Sequence, residues 1–135
     1  MRFMIIVKAT KDSEEGVMPE QSLFDEMGAY HEELAKAGVL LDASGLHPSS
    51  KGWRINWSGG KKTITDGPFT EAKELIAGDT MIQTKTEEEA REWARRFPNP
   101  AVDQLDGEIE VRRLFELDDF EGVDIERFRK LEAER

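Results

Sequence analysis

The chain has 135 residues, a formal net charge of −10 and no cysteine. A single domain of this size buries roughly 65 to 70% of its unfolded surface, so it needs no disulfide or metal staple, and the missing thiols exclude thiolate catalysis and cysteine metal sites. The acidic balance repels phosphate backbones, and no Lys/Arg stripe interleaved with aromatics offsets it, which argues against nucleic acid as a partner.

Phe3 to Val7 is almost continuously apolar and rich in β-branched residues, the pattern of a strand covered on both faces. Phe3, Ile5 and Val7 point one way, Met4 and Ile6 the other. Lys8 interrupts this run too early for a signal peptide and no later run reaches membrane-spanning length, so a cytoplasmic protein without membrane contact is expected. Lys11 to Met18 is polar and reads as a loop. Pro19 then opens a helix to about Ala37, in which Leu23, Met27, Tyr30, Leu34 and Ala37 form one apolar stripe and after which Gly38 is the stop.

A short strand at about Val39 to Ala43 follows, then the turn-rich GLHPSSKG. Trp53, Ile55 and Trp57 alternate with Arg54 and Asn56, which reads as a half-buried strand, and Ser58-Gly59-Gly60-Lys61 turns it into the antiparallel partner KTIT. SGGKKT is not a phosphate-binding loop: Ile55 occupies the earlier glycine position and Lys62 stands where a Ser/Thr would touch magnesium. Beyond Asp66-Gly67-Pro68-Phe69, the segment TEAKELIAG reads either as a short helix capped by Thr70 or as a loop into a strand from about Leu75 to Thr84, broken at Gly78.

Thr86 to Glu89 has the spacing of a capping box, and Ala90, Trp93, Ala94 and Phe97 form the buried stripe of a helix that Pro98 ends. Gly107 leads into a last strand, with Ile109, Val111 and Phe115 alternating with Glu108, Glu110 and Arg112. From Asp118 the chain turns acidic. Ile125, Phe128 and Leu131 nevertheless recur at three-residue steps, so a short amphipathic helix is expected to dock on the body or on a partner.

This order of elements predicts an α+β, ferredoxin-like βαββ(β)αβ protomer with an inserted hairpin, two helices lying against one face of a largely antiparallel sheet. The doubly apolar first strand then needs cover on its other face as well. A second copy supplies it, which predicts a homodimer with the open sheet faces packed together about a two-fold axis. The rival arrangement folds the tail helix over that face.

Five residues are candidates for a site. Asp66 precedes Gly67-Pro68, so the amide that normally caps a turn aspartate is missing; its nearest donors are the amides of Phe69 and Thr70, and its carboxylate is presented at a sharp corner. It either pins the bend, with Phe69 plugging the core beneath, or faces a ligand, with Phe69 as a ring-stacking binding residue beside it. His31 follows the helical stripe by one position, as a core-edge histidine or a proton shuttle. His47 lies in a Pro/Ser/Gly loop of the kind that carries binding residues. Arg54, opposite the tryptophans, either pairs with Asp66 across the hairpin or holds an anion in its planar fork. Too few ligands stand together for a metal, no cofactor motif is present, and Ser-His-Asp, HExxH and GxGxxG patterns are missing.

LAKAGVLL (Leu34 to Leu41), the Gly45-Leu46-His47-Pro48-Ser49 turn, Thr65-Asp66-Gly67-Pro68-Phe69-Thr70-Glu71 and Glu92-Trp93-Ala94 together resemble the YCII-related family, in its DGPF branch. The resemblance covers most of residues 1–117; residues 118–135 form an acidic C-terminal extension outside it. It implies a dimeric α+β barrel of ferredoxin-like protomers, of largely unassigned role. It also implies a regulatory setting beside sigma-factor-like transcription proteins, enzymatic activity in the broader family through a histidine on the first helix working with an aspartate, and, in a few relatives, action on chlorinated aromatic rings. Met27 occupies the position expected for that histidine, and His31 lies one turn later. The leading reading is a homodimeric binding or regulatory module for a small organic ligand. An enzyme using Asp66 and His31 for acid-base or elimination chemistry on a small, aromatic substrate is the second, and a purely structural dimer the third.

Overall fold

The computed structural model describes residues 1–134. Strands β1 (Arg2–Lys8), β2 (Leu40–Gly45), β5 (Ile76–Gln83) and β6 (Ile109–Arg113) form an antiparallel sheet in the order β2-β5-β1-β6, while β3 (Trp53–Ser58) and β4 (Lys61–Asp66) pair only with each other. With that hairpin set aside, the connectivity is the ferredoxin-like one: the first strand lies inside the sheet, and the second reaches an edge through helix α2 (Gln21–Lys36).

The core lies on one face. Phe3 and Ile5 of β1 stand in register with Ile82 and Thr80 of β5, and side chains opposed in this way share a face. Leu34 and Tyr30 from α2 and Ala90 from α3 (Glu87–Arg95) close over them, leaving Ile5, Leu34 and Ile82 with no solvent exposure. Tyr30 ties the two helices together, its hydroxyl donating to the Trp93 carbonyl at 2.6 Å while its ring meets Trp93 and Phe97 edge-on. Burial pushes the Tyr30 phenol up to about 12, because the phenolate would lose its water.

The other face of the sheet carries no helix of this core. Met4 and Ile6 alternate out of it, opposite Met81 and Asp79 on one side and Arg112 and Glu110 on the other, and all four of Met4, Ile6, Asp79 and Met81 are half-buried. The segment after β6 approaches it: Arg2 makes a two-pronged ion pair with Glu116 at 2.9 and 3.0 Å, and Glu132 of helix α4 (Glu126–Ala133) lines the same depression as Leu41, Asp42 and Met81. The hydrogen bond and charge of Glu116 raise the Arg2 pKa, and that bond holds the Glu116 carboxyl below its ordinary range.

Several local expectations change. Lys11–Glu14 is a short helix, α1, because Thr10 and Ser13 cap each other's amides reciprocally. TEAKELIAG follows its second reading: one turn of 3₁₀ helix at Ala72–Glu74 leads into β5, and a register shift between Val7 and Lys8, opposite Gly78 and Ile76, takes the place of a break. The Thr86 hydroxyl accepts from the Glu89 amide, but the Glu89 carboxylate reaches past Thr86 to the Lys85 amide. β6 ends at Arg113, so Phe115 leaves the sheet and stacks against Phe120 at 5.1 Å.

The largest change concerns the hairpin. Trp53, Ile55 and Trp57 do alternate, and Gly59 and Gly60 turn the chain with φ of 57° and 77°, which two successive L-residues with Cβ atoms resist. The strand is nevertheless exposed on both sides, with Trp53 65% and Trp57 68% accessible. Half-burial requires a layer to lie against, and the hairpin stands apart from the main sheet.

Candidate functional site

The DGPF corner is built by backbone approach. Gly67 donates to the Gly52 carbonyl at 2.9 Å, and a Cβ on Gly67 would fall 1.8 Å from the Ser49 carbonyl oxygen, so no side chain fits there. The Gly67–Pro68 peptide is cis. The Phe69 amide, expected to serve Asp66, instead donates to the Ser49 hydroxyl at 2.9 Å; that hydroxyl and the Ser49 amide are in turn held by the Glu14 carboxylate. Glu14, Ser49 and Phe69 thus fasten α1, the loop after β2 and the corner into one unit.

Arg54 lies over the Phe69 ring with its guanidinium carbon 3.8 Å from the centroid, a cation–π contact that also covers an otherwise wet ring. The register explains why it does not reach Asp66: Arg54 opposes Thr65, whereas Asp66 opposes Trp53 and shares its face. Among the described residues the Asp66 carboxylate has no hydrogen-bond or ion-pair partner.

His31 stands elsewhere, under α2. Nδ1 lies 2.7 Å from the Met27 carbonyl oxygen and Nε2 2.9 Å from Thr80 Oγ1. A carbonyl only accepts, so Nδ1 carries a proton; in the neutral ring Nε2 then accepts from the Thr80 hydroxyl. His31 is in this sense a satisfied core-edge histidine, stacked edge-on against Tyr30 and Phe97. One side of it borders a cleft.

That cleft, of about 510 Å³, lies between α2, the β2–β5 edge of the sheet and the segment after α3. Leu23, Phe24, Met27, Phe97 and Pro100 make most of its wall, and the His31–Thr80 pair provides a polar point. Its volume is that of an ordinary small-molecule site. Among the described residues no Lys or Arg lines it, and Asp79, which borders it, stands opposite Ile6 in the register and so belongs to the other face of the sheet. Gly28 also lines it, and a Cβ built there meets nothing within 4 Å. A second depression, containing His47, shares Pro19, Gly45, Ala77 and Pro100 with the first, so the two run together with one histidine on each.

The five candidates therefore divide. Arg54, Asp66 and Phe69 belong to the hairpin and its corner; His31 and His47 border the groove, whose lining does not include the corner residues. Neither histidine is hydrogen-bonded to Asp66. Thr80, Gly28, Ser49 and Glu14 were missed from the sequence. A threonine facing inward beside a helical histidine and a glycine inside an apolar helical stripe were signals, but only the register shows what they meet.

A ferredoxin-like α+β domain with an apolar groove under its first long helix defines the class. The chain belongs to the YCII-related family: the family model for the YCII-related domain matches residues 1–118. It is similar to an uncharacterized protein of Rhizobium meliloti (strain 1021), 30% identical over 105 residues that make up 78% of each chain. Among the described residues no helix is long and apolar enough to cross a membrane.

Proposed function

We propose that this protein is a homodimeric small-molecule-binding module of the DGPF branch, in a cytoplasmic regulatory setting, with its open sheet faces packed together and its ligand in the groove under α2. The observation that carries the reading is the apolar cleft of about 510 Å³ with the His31–Thr80 pair in its wall. Gly28 adds to it. A glycine in a helix interior costs about 1 kcal/mol relative to alanine, and here it leaves empty space where the ligand would lie. The ligand class follows from the lining: a largely apolar, uncharged molecule with one hydroxyl, carbonyl or amine to meet the polar point.

Binding is favoured over catalysis because both ring nitrogens of His31 already have partners and Asp66 stands on the other sheet. An acid–base pair must lie within hydrogen-bond reach of the same substrate. The acidic extension from residue 118 onward we read as an addition to the family domain.

The test is a thermal-shift screen of small apolar compounds against the wild type, Gly28→Leu and Asp66→Ala. Ligands that bind the native state raise its melting temperature by mass action. Shifts should persist in Asp66→Ala and vanish in Gly28→Leu, whose side chain fills the cleft. Shifts lost in Asp66→Ala and kept in Gly28→Leu would move the ligand to the corner and overturn this reading of the groove.

A further inference from the structure

Ser44, Asp79, His31 and Thr80 are the polar residues that line the groove under α2, and the sheet register divides them. Ser44 stands opposite Asp79, and Asp79 opposite Ile6, so both side chains belong to the open face. Thr80 stands opposite Ile5 and Ala43 on the covered face, and the short Ala43 side chain beside it also lines the groove. Among the described residues His31 and Thr80 are therefore the polar side chains on the groove side of the sheet.

The direction of each hydrogen bond in this pair follows from what the partners can give. The Met27 carbonyl has no hydrogen, so Nδ1 of His31, 2.7 Å away, is the donor. A neutral imidazole holds one N–H, which leaves Nε2 a bare lone pair, and the Thr80 hydroxyl 2.9 Å away turns its hydrogen toward it. A hydroxyl has one hydrogen and two lone pairs. In Thr80 the hydrogen is engaged, whereas among the described residues no donor reaches the lone pairs. Thr80 is 2% exposed, so little water competes for them, and a hydrogen bond formed there is stronger than one at the surface. The polar point of the wall accepts and does not donate.

We propose that the groove selects ligands that carry a hydrogen-bond donor, an alcohol, phenol or neutral amine, over ketones, aldehydes and ethers of the same shape, because the sequence of bonds from the Met27 carbonyl through His31 leaves Thr80 only lone pairs to present. The inference rests on the groove reading above and narrows its ligand class. Thr80 is the residue that meets the ligand. His31 is a positioning residue, which holds the Thr80 hydrogen away from the groove. A ketone at the same point meets lone pair with lone pair, and its carbonyl, stripped of water, stays unsatisfied.

The test compares tetralol with its ketone, tetralone, by titration calorimetry at about pH 8, where an ordinary imidazole is neutral. The alcohol should bind the wild type about tenfold more tightly than the ketone, the difference that one hydrogen bond makes. Thr80→Val keeps the branched shape without the oxygen and should bring the two within about twofold of each other. Equal binding to the wild type, or a preference for the ketone, overturns the donor rule; if Gly28→Leu abolishes the binding of both, the groove reading survives that failure. Binding of neither probe, or undiminished binding of both to Gly28→Leu, overturns the groove reading and the donor rule with it. A preference that survives Thr80→Val puts the alcohol on Nε2 and overturns the role of Thr80. One readout needs no ligand and no folded Thr80 variant: the imidazole nitrogen resonances of the wild type, with only two histidines to separate and His31→Asn to assign them. His31 should carry its proton on Nδ1 and none on Nε2, and a proton on Nε2 of the neutral ring overturns the inference.

Discussion

The covered face of the sheet and the β3–β4 hairpin are both made of alternating apolar residues, yet one is the core and the other is wet. Ile5 and Ile82 are sealed because α2 and α3 are joined to neighbouring strands by short connections that lay them back on the sheet. Trp53 and Trp57 have the same periodicity and larger side chains, but among the described residues no element returns over them. The lesson is that alternation encodes a face and its chemistry, while burial needs a second layer, which this chain lays over one surface and, among the described residues, not over the other.

The sharpest way to break the contrast is a pair of truncations. Leu34→Ala should cost about 3 kcal/mol in denaturant-induced unfolding, as for other fully buried leucines. Trp57→Ala should leave the unfolding of the dilute monomer almost unchanged, because the ring is 68% exposed and loses little packing. Equal effects on the monomer would mean that the hairpin is covered within the chain.

Next in size is Gly67→Ala. Its methyl would sit on the Ser49 carbonyl, and forced overpacking of this kind costs about 1 to 3 kcal/mol. Hydrogen exchange should rise at the Gly67 and Phe69 amides, with the protection of β1 and β5 retained. Unaltered protection at the corner would remove the close approach as the reason for the glycine.

Tyr30 is the single tyrosine, so its titration can be followed by tyrosinate absorbance. Its folded pKa, raised from 10.0 to about 12, lies above the unfolded one. The folded state therefore keeps a proton that the unfolded state releases, and the contribution, complete below pH 10.0, is lost as the pH rises through about 12. Tyrosinate appearing near pH 10 in the folded protein would contradict the burial.

The smallest effect belongs to Glu116→Gln. The native carboxyl is held below its ordinary value of 4.5, first by its hydrogen bond to Arg2. Its contribution is present above that value and declines as the pH falls through the lower folded pKa. The variant should be slightly less stable than the wild type at neutral pH, the pair being partly exposed, and in urea melts at successive pH values the difference should vanish as the pH falls through the lower folded pKa.

Most elements were legible in order and type, since apolar period and caps act locally: the stripe Leu23, Met27, Tyr30, Leu34 on α2, the glycine turn of the hairpin, and Pro98 after α3. The failures were those of partners. Phe115 kept the strand alternation but found Phe120, and the Phe69 amide found Ser49 rather than Asp66. The candidate site was legible only in part: His31 was visible as a core-edge histidine, but its meeting with Thr80, 49 positions away, and the groove lined by segments from Val7 to Pro100 depend on contacts across the sheet.

Period, turn chemistry and net charge, all properties of neighbouring residues, thus settled the α+β ferredoxin-like class, the hairpin, the acidic extension and the doubly apolar first strand. Three further outcomes belong to the folded chain: which apolar face is sealed, which histidine borders a groove, and which carbonyl excludes a Cβ at Gly67. Each depends on contacts between segments far apart in the chain, whose geometry no local pattern encodes.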